Sequence, residues 1–265
     1  MLIRAFFVVM ILLLNIGCNI YAQEERTNVK GGFKECVIYK TEYKLGKLDN
    51  ASRFKELHCY YDSTGKKTLE LKYRPNNYLE SKEYSYYNSD GRIHTVKGCN
   101  GDDSSKFQYY RYYGYDDNGN IIRSGAAHSD VRNEAIQPIF DKESFKFDKK
   151  GNIIEKIADK NVHHPLKFNY KYDKKGNQIE ETIKSSDSSF FSRISNKYDK
   201  NRNIVEKIIY KKYPDREKAN NQKFTYKYDS YGNITEEIRF LLNLKEPTEK
   251  REYIYFPNIL NKVSK

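Results

Sequence analysis

The chain has 265 residues, 38% of them hydrophobic, with 25 Tyr, 14 Phe, no Trp and a formal charge of +12. So many aromatic residues exclude a disordered chain. One short apolar run near the start excludes a bundle of membrane-spanning helices, and the length allows one or two domains.

Met1 to Ala22 reads as a secretory signal, with Arg4 as the positive start and Ala5 to Leu14 as the apolar run. Two processing readings stand. Cleavage between Ala22 and Gln23 follows the small-residue pattern Ile20-Tyr21-Ala22; lipidation of Cys18 after Gly17 is the alternative. A lipobox wants Leu where Asn15 stands, so cleavage is favoured. Both readings place the protein outside the cytoplasm: secreted, periplasmic or at the cell surface, with no transmembrane segment in the mature chain. Residues 23–33 form a short linker, 34–257 one repeat domain and 258–265 a tail. Cleavage after Ala22 leaves Cys36, Cys59 and Cys99, which allow one disulfide and one free thiol with the pairing open. Cys59 shares strand parity with Tyr61 and reads as a small buried filler. Its neighbour His58 points to the other face, so the two make no zinc site.

Phe33 to Leu57 is a weaker repeat, in which Val37 to Leu45 reads as a strand pair around Leu45-Gly46-Lys47, an atypical N-terminal cap. From Tyr60 one pattern recurs. Its clearest copy is Tyr170-Lys171-Tyr172-Asp173-Lys174-Lys175-Gly176-Asn177. Its key Asp or Asn falls at 62, 88, 116, 148, 173, 199 and 229, so the steps are 26, 28, 32, 25, 26 and 30 residues. Such a period marks a repeat array. Within a copy, Phe168, Tyr170 and Tyr172 alternate with Lys167, Asn169 and Lys171, the period of a half-buried strand. The next four residues read as a type I turn with Gly in the left-handed position. The turn residues are Asp62 and Gly65, Gly91, Asp116 and Gly119, Asp148 and Gly151, Asp173 and Gly176, Asp199, and Asp229 and Gly232.

A second, Ile-rich strand follows each turn. Ile153, Glu155 and Ile157 are placed on one face, as are Ile204, Glu206 and Ile208, and Ile234, Glu236 and Ile238. The recurring Glu is expected to pair with a Tyr hydroxyl or a Lys of a neighbouring repeat, because a lone buried carboxylate is costly. Arg202 stands where Gly is expected, so that turn should shift by one residue or be strained. Seven hairpins give about fourteen strands. A lone hairpin is marginal in water, so they must pair sideways into a curled antiparallel all-β sheet. Arg251 to Phe256 alternates as a last strand that pairs with the final hairpin, and Pro257 suits a terminating edge.

Short, uniform turns line one rim of such a meander and variable connectors the other. The connectors are Lys97 to Lys106, Ser124 to Ser144, Asp159 to Pro165, Ser185 to Ser192 and Pro214 to Gln222, and variable loops on a rigid scaffold are the usual place for binding residues. The longest, Ser124 to Ser144, is expected to hold a short helix near Asp130 to Ile136, ended by Pro138. His128, His163 and His164 fall on connectors without a partner group and read as solvated. Gly98 to Asp103 lacks the spaced acidic ladder of a calcium loop. No catalytic motif, metal-ligand set or cofactor motif is present. Tyr109-Tyr110-Arg111-Tyr112-Tyr113 mixes charge and rings, but the strand period accounts for it and the extracytoplasmic address disfavours nucleic acid.

The copies at Tyr115, Phe147, Tyr172 and Tyr228, of the form Tyr-Asp-x-x-Gly-Asn-Ile, resemble the RHS/YD-repeat family over about Tyr60 to Ile238. The chain carries Gly-Asn where many members carry Gly-Arg, which occurs only at Gly91-Arg92, and it is far shorter than a cargo-enclosing shell. The resemblance implies a spiralling β-sheet, in larger members a hollow shell around a polypeptide. The resulting expectation is a non-enzymatic, extracytoplasmic β-repeat protein of the cell envelope that binds a glycan or a protein. A small shell or carrier for a polypeptide is the alternative.

Overall fold

The structure, a computed structural model, describes residues 29–101, 108–117, 119, 121–128, 142–159, 165–241 and 246–257. Seven hairpins appear in it, each centred on one repeat. They are β2 (Lys47–Tyr61) with β3 (Lys67–Tyr73), β4 (Leu79–Tyr87) with β5 (Ile93–Asn100), and β6 (Tyr109–Tyr115) with β7 (Ile121–His128). Next come β8 (Lys142–Phe147) with β9 (Ile153–Asp159), and β10 (Leu166–Tyr172) with β11 (Gln178–Ser185). The last two are β12 (Phe191–Tyr198) with β13 (Ile204–Tyr213), and β14 (Arg216–Tyr228) with β15 (Ile234–Leu241). Two further strands flank them, β1 (Phe33–Lys44) and β16 (Pro247–Pro257), giving one sixteen-stranded antiparallel sheet.

The turns share one geometry. In the Asp173 turn the Gly176 N–H donates to the Asp173 carbonyl at 3.1 Å, and Oδ1 of Asp173 accepts the N–H groups of Lys175 and Asn177, each at 2.8 Å. The amide of Asn177 then donates to Oδ2 of the same carboxylate at 2.7 Å. One carboxylate thus satisfies three donors that a tight turn would leave to water. Asp148 and Asp229 repeat this arrangement. Asp62 binds two backbone donors and the Thr64 hydroxyl, and Asn88 takes the place in its own turn. Gly176 closes its turn at φ +79°, where a side chain would be strained.

The Arg202 turn does not shift. Its bonds match the others, with Arg202 N–H on the Asp199 carbonyl at 3.1 Å, and Arg202 itself takes the left-handed conformation at φ +70°. The side chain offsets that strain. Nε donates to Asn177 Oδ1 at 3.0 Å and Nη2 to the Lys175 carbonyl at 2.9 Å, tying this turn to the one before it.

A register shift beside each turn changes the reading of strand faces. Between Lys146 and Phe147 the ladder slips, so Lys146 faces Glu155 while Phe147 faces Ile153. Ile153 therefore lies against the buried cluster of Ala158, Phe168, Tyr170, Ile183 and Phe190, and Glu155 lies on the opposite, solvent face. The expectation that Ile153 and Glu155 share a face fails because a bulge inserts one residue and inverts the alternation.

Hairpins join sideways through ladders that stop short of the turn rim. The β9–β10 ladder ends at Asn169 opposite Glu155, and there the Tyr172 hydroxyl spans the gap to the Ile153 carbonyl at 2.8 Å. The same bond recurs as Tyr87 to Lys67, Tyr115 to Ile93, Tyr198 to Gln178, Tyr226 to Ile204 and Tyr255 to Ile234, at 2.6–2.9 Å.

The sheet order runs β7 back to β1, then β16 back to β8. The first and last strands therefore pair with each other, from Phe33 opposite Pro257 to Glu42 opposite Glu249. Pro257 does not mark an edge strand as expected; the two edges are β7 and β8. These edges face each other in a nearly closed barrel, bridged by the Ser124 hydroxyl on Glu143 and by Phe145 packed on the Ile93, Val96, Tyr113 and Ile121 cluster.

Replacing Tyr198 by Phe leaves the Gln178 carbonyl without this donor and is expected to lower the unfolding free energy by about 1 kcal/mol. Urea denaturation of the two proteins checks it.

Candidate functional site

Strand register sorts every side chain to the inner or the outer face of the curved sheet. Inner positions include Glu143, Lys156, Phe168, Tyr170, Glu181, Ile183, Ile194, Lys207, Glu237 and Arg251, by the chain of partners from β8 to β16. This face is not a hydrocarbon core, and most of its charges are paired. Arg251 is the hub: Nε meets Glu56 at 2.7 Å, Nη1 meets Glu237 at 2.7 Å and Nη2 meets Glu249 at 2.9 Å. Burial works against its charge, but Glu56 and its two neighbours hold its pKa above the usual arginine range. Lys40 adds a contact to Glu249 at 3.1 Å, and the side chains of the Lys156–Glu143 pair are almost fully buried. On the other half Glu83 accepts from Tyr109 at 2.6 Å and pairs with Arg111. A buried charge is tolerable when it is paired in this way.

One inner cluster is not paired. Glu181 is 4% exposed and has no hydrogen bond or ion pair among the described residues. Burial pushes its carboxyl up to about 7, and Lys207 and Lys156 only partly oppose this. Lys207 is itself lowered by burial. Nearby on β12, Ser192 Oγ and Asn196 Oδ1 are buried without partners, and Asn196 stands opposite Lys207.

The outer face divides into two halves. On β8 to β15 the position two before the turn residue is Lys146, Lys171, Lys197 and Lys227. Each meets the recurring Glu across its own hairpin: Glu155 at 2.7 Å, Glu180 at 2.7 Å, Glu206 at 3.1 Å and Glu236 at 2.8 Å. The expected lateral pairing also occurs, through Lys167 on Glu155 at 2.8 Å and Lys250 on Glu236 at 3.0 Å. The four hairpin lysines are 70–73% exposed, so this is a solvated charge ladder of small energetic weight. In the N-terminal half the same position holds Tyr60, Tyr86 and Gly114, and the Glu position holds Leu69, Thr95 and Arg123. Here the ladder is replaced by rings. Tyr60 is opposite Leu69, Leu69 opposite Tyr84, Tyr84 opposite Lys97 and Lys97 opposite Tyr110; one step along, Tyr86 is opposite Thr95 and Thr95 opposite Tyr112. Tyr110 and Tyr112 lie parallel, 6.1 Å apart with 3° between their planes. The Lys97 ammonium stands over the rings of Tyr86 and Tyr110, at 5.0 and 5.7 Å. Tyr86 is 43% exposed.

The turn residues of the sequence reading all line one rim. Connectors fare unevenly. Pro214 to Gln222 is mostly strand, because β13 and β14 run on to a two-residue turn at Pro214-Asp215. Lys97 to Asn100 is the end of β5, and Ser185 to Phe190 is a loop closed by Ser185. His128 ends β7. Met1 to Ala22, Gln23, Cys18, the helix expected near Asp130 to Ile136, His163 and His164 lie outside the described residues. Cys36 and Cys59 face each other across β1 and β2 as buried thiols with no disulfide between them, and Cys99 is buried as well. Burial first, then neighbouring negative charge, pushes Cys36 and Cys59 to about 12. Among the described residues no group of three or more His, Cys, Asp or Glu is placed to hold a metal ion.

No family model matches the chain, and no curated protein matches it. Solved structures with some likeness include a Photorhabdus luminescens Tc holotoxin pore carrying a TccC3 mutation, at 14% identity and a TM-score of 0.34. That match covers 76% of this chain but only 13% of that one. A porin-like protein from Bacteroides uniformis aligns at 11% identity and a TM-score of 0.37 over 85% of this chain and 98% of its own.

Glu181 supplies a pH test. A carboxyl raised in the fold costs nothing below pH 4.5, where both states are protonated, and costs progressively more as pH rises to about 7. Glu181→Gln is expected to melt like the parent at pH 4 and above it at pH 8; a constant difference would show that the buried charge is not the cause.

Proposed function

We propose that the chain is an extracytoplasmic β-repeat binding module of the cell envelope and not an enzyme. One observation carries this reading: two residues before the turn, the N-terminal half of the outer face carries Tyr60, half-buried, and Tyr86, 43% exposed, where the C-terminal half keeps a solvated charge ladder. The repeat does not need a ring at that position to fold, since the other half carries Lys there, and an exposed aromatic side chain on a rigid sheet suits an interaction surface. The signal-like start and the basic charge support an envelope partner, either a glycan or a protein. The outward lysines and glutamates of β8 to β15 argue against acyl chains around the barrel, where such charges are costly.

The carrier reading, a polypeptide held inside the curled sheet, has less support. Phe168, Tyr170, Ile183 and Lys156 on the inner face are already buried by the chain itself.

The experiment is co-sedimentation of the purified mature protein with an envelope fraction. Retention at low salt that falls as salt rises is expected. A protein that stays in the supernatant at low salt overturns the proposal.

A further inference from the structure

Cys36 on β1 and Cys59 on β2 stand directly opposite each other in the antiparallel ladder, so both side chains leave the sheet on the same face. Directly opposed residues have Cα atoms about 4.5 Å apart in one kind of antiparallel pair and about 5.5 Å in the other. Both separations lie in the range of roughly 4.4–6.8 Å that a disulfide spans. Cys99 has no such place. Its row leads through Lys82 and Leu71 to His58, which lies on the face opposite to Cys59. β5 is also three strands from β2 in the sheet order, roughly 14 Å along the sheet and well beyond the reach of the bond.

The surroundings suit a bond at this pair. Cys36 and Cys59 are 1% and 3% exposed, so a disulfide between them is shielded from outside reductants. The Cys59 thiol donates to Glu70 over a long 3.8 Å, and Glu70 keeps Lys67 at 2.6 Å once that proton is gone. Oxidation therefore leaves this carboxylate paired. The β1–β2 ladder slips twice beyond the pair, between Ile38 and Tyr39 and between Lys40 and Glu42. A covalent tie at Cys36 fixes a register that such an interrupted ladder fixes less firmly. A small buried filler needs no second cysteine across the ladder. Burial has raised both thiols to about 12, which leaves almost no thiolate in the finished fold. The bond is therefore made while β1 and β2 are meeting, before the pair is buried.

We propose that Cys36 and Cys59 are the disulfide pair of this chain, with Cys99 left as a thiol. The inference rests on the extracytoplasmic reading above, since such bonds persist in oxidising compartments. The two thiols give up two protons and two electrons to a disulfide oxidant of the glutathione class. A sulfur–sulfur bond forms between Cys36 and Cys59, and the oxidant leaves as two thiols. The bond closes a short loop and ties β1 to the first hairpin. β1 is thereby held in place to receive β16, along the ladder from Phe33 opposite Pro257 to Glu42 opposite Glu249.

The test uses the chain from Gln23, which carries three cysteines. It is unfolded in urea with reductant and refolded by dilution into reduced and oxidised glutathione. Thiols are then counted in denaturant, and the unreduced digest is mapped by mass spectrometry. One remaining thiol, at Cys99, and one linked peptide pair holding Cys36 and Cys59 are expected. The oxidised chain should melt roughly 6–12 °C above the same chain refolded with reductant. Cys99→Ser should keep the bond, and Cys36→Ser should lose it without moving it to Cys99. Three thiols in the refolded chain, or any bond that includes Cys99, overturns the pairing wherever the protein resides. Equal melting temperatures overturn the bond's role as a tie between β1 and β2. The same count on protein purified from its own cells needs no refolding and tests the address. A chain that forms the bond with glutathione yet leaves its cells with three thiols keeps the pairing and overturns the extracytoplasmic reading.

Discussion

The structure depends on one bond, the tyrosine hydroxyl that crosses from one hairpin, or from β16, to the bulge carbonyl of the hairpin before it. A single hairpin gains too little from its own ladder to stand in water. The ladders between hairpins end before the turn rim, where the bulge bends the strand away. Tyr87, Tyr115, Tyr172, Tyr198, Tyr226 and Tyr255 each reach across that divergence and satisfy a carbonyl the ladder leaves open. Their rings fill the inner face at the same point. These tyrosines combine a polar tip and an apolar body that serve two needs at one rim; in the last hairpin Tyr226 makes the bond while Tyr228 donates to Asp199. The seam agrees. Phe147 occupies this position at the start of the second run of hairpins and has no hydroxyl to offer across to β7, and the sheet is open there.

Closure falls instead on the chain ends. β1 and β16 pair in the middle of the sheet, and Arg251 holds this junction by gripping Glu56 of β2, Glu249 of its own strand and Glu237 of β15. Most pairings of the meander are local and form early at small entropic cost. The β1–β16 ladder joins residues more than two hundred apart and costs the most loop entropy. A guanidinium that binds three carboxylates on three strands makes that late contact specific in register, since a slip would leave buried charges unpaired.

What was legible in the sequence is what is local. The turn signal is a carboxylate, a left-handed Gly and an Asn within five residues, and the hairpins were readable from it. The faces of the second strands were not, because the bulge inverts their parity and nothing in Ile153-Ile154-Glu155 announces which residue is the extra one. Pro214 to Gln222 read as a loop for its polar composition; its residues are the ends of two long strands that project beyond their neighbours, where there is no core to demand hydrophobic alternation. The pairing of β1 with β16 has no local trace. The inner charges were equally hidden, since Glu181 and Lys207 acquire their meaning only when β11 and β13 flank the same strand. The outer tyrosines were visible as strand but not as a row, because Tyr60, Tyr84 and Tyr110 are brought together by register alone.

The repeat's demands explain why a binding surface should lie on the outer face. Turn carboxylate, left-handed residue and bridging tyrosine all act at the rim or on the inside, and substitution there strains a turn or orphans a carbonyl. The outer positions carry no such duty. In the C-terminal half they hold solvated Lys–Glu pairs of small energetic weight, and stability changes little if these are exchanged. Half the array can therefore give up its ladder for rings without loss of fold. Register then does the rest: five tyrosines placed independently in three repeats fall into two adjoining cross-strand rows, spaced by the strands themselves.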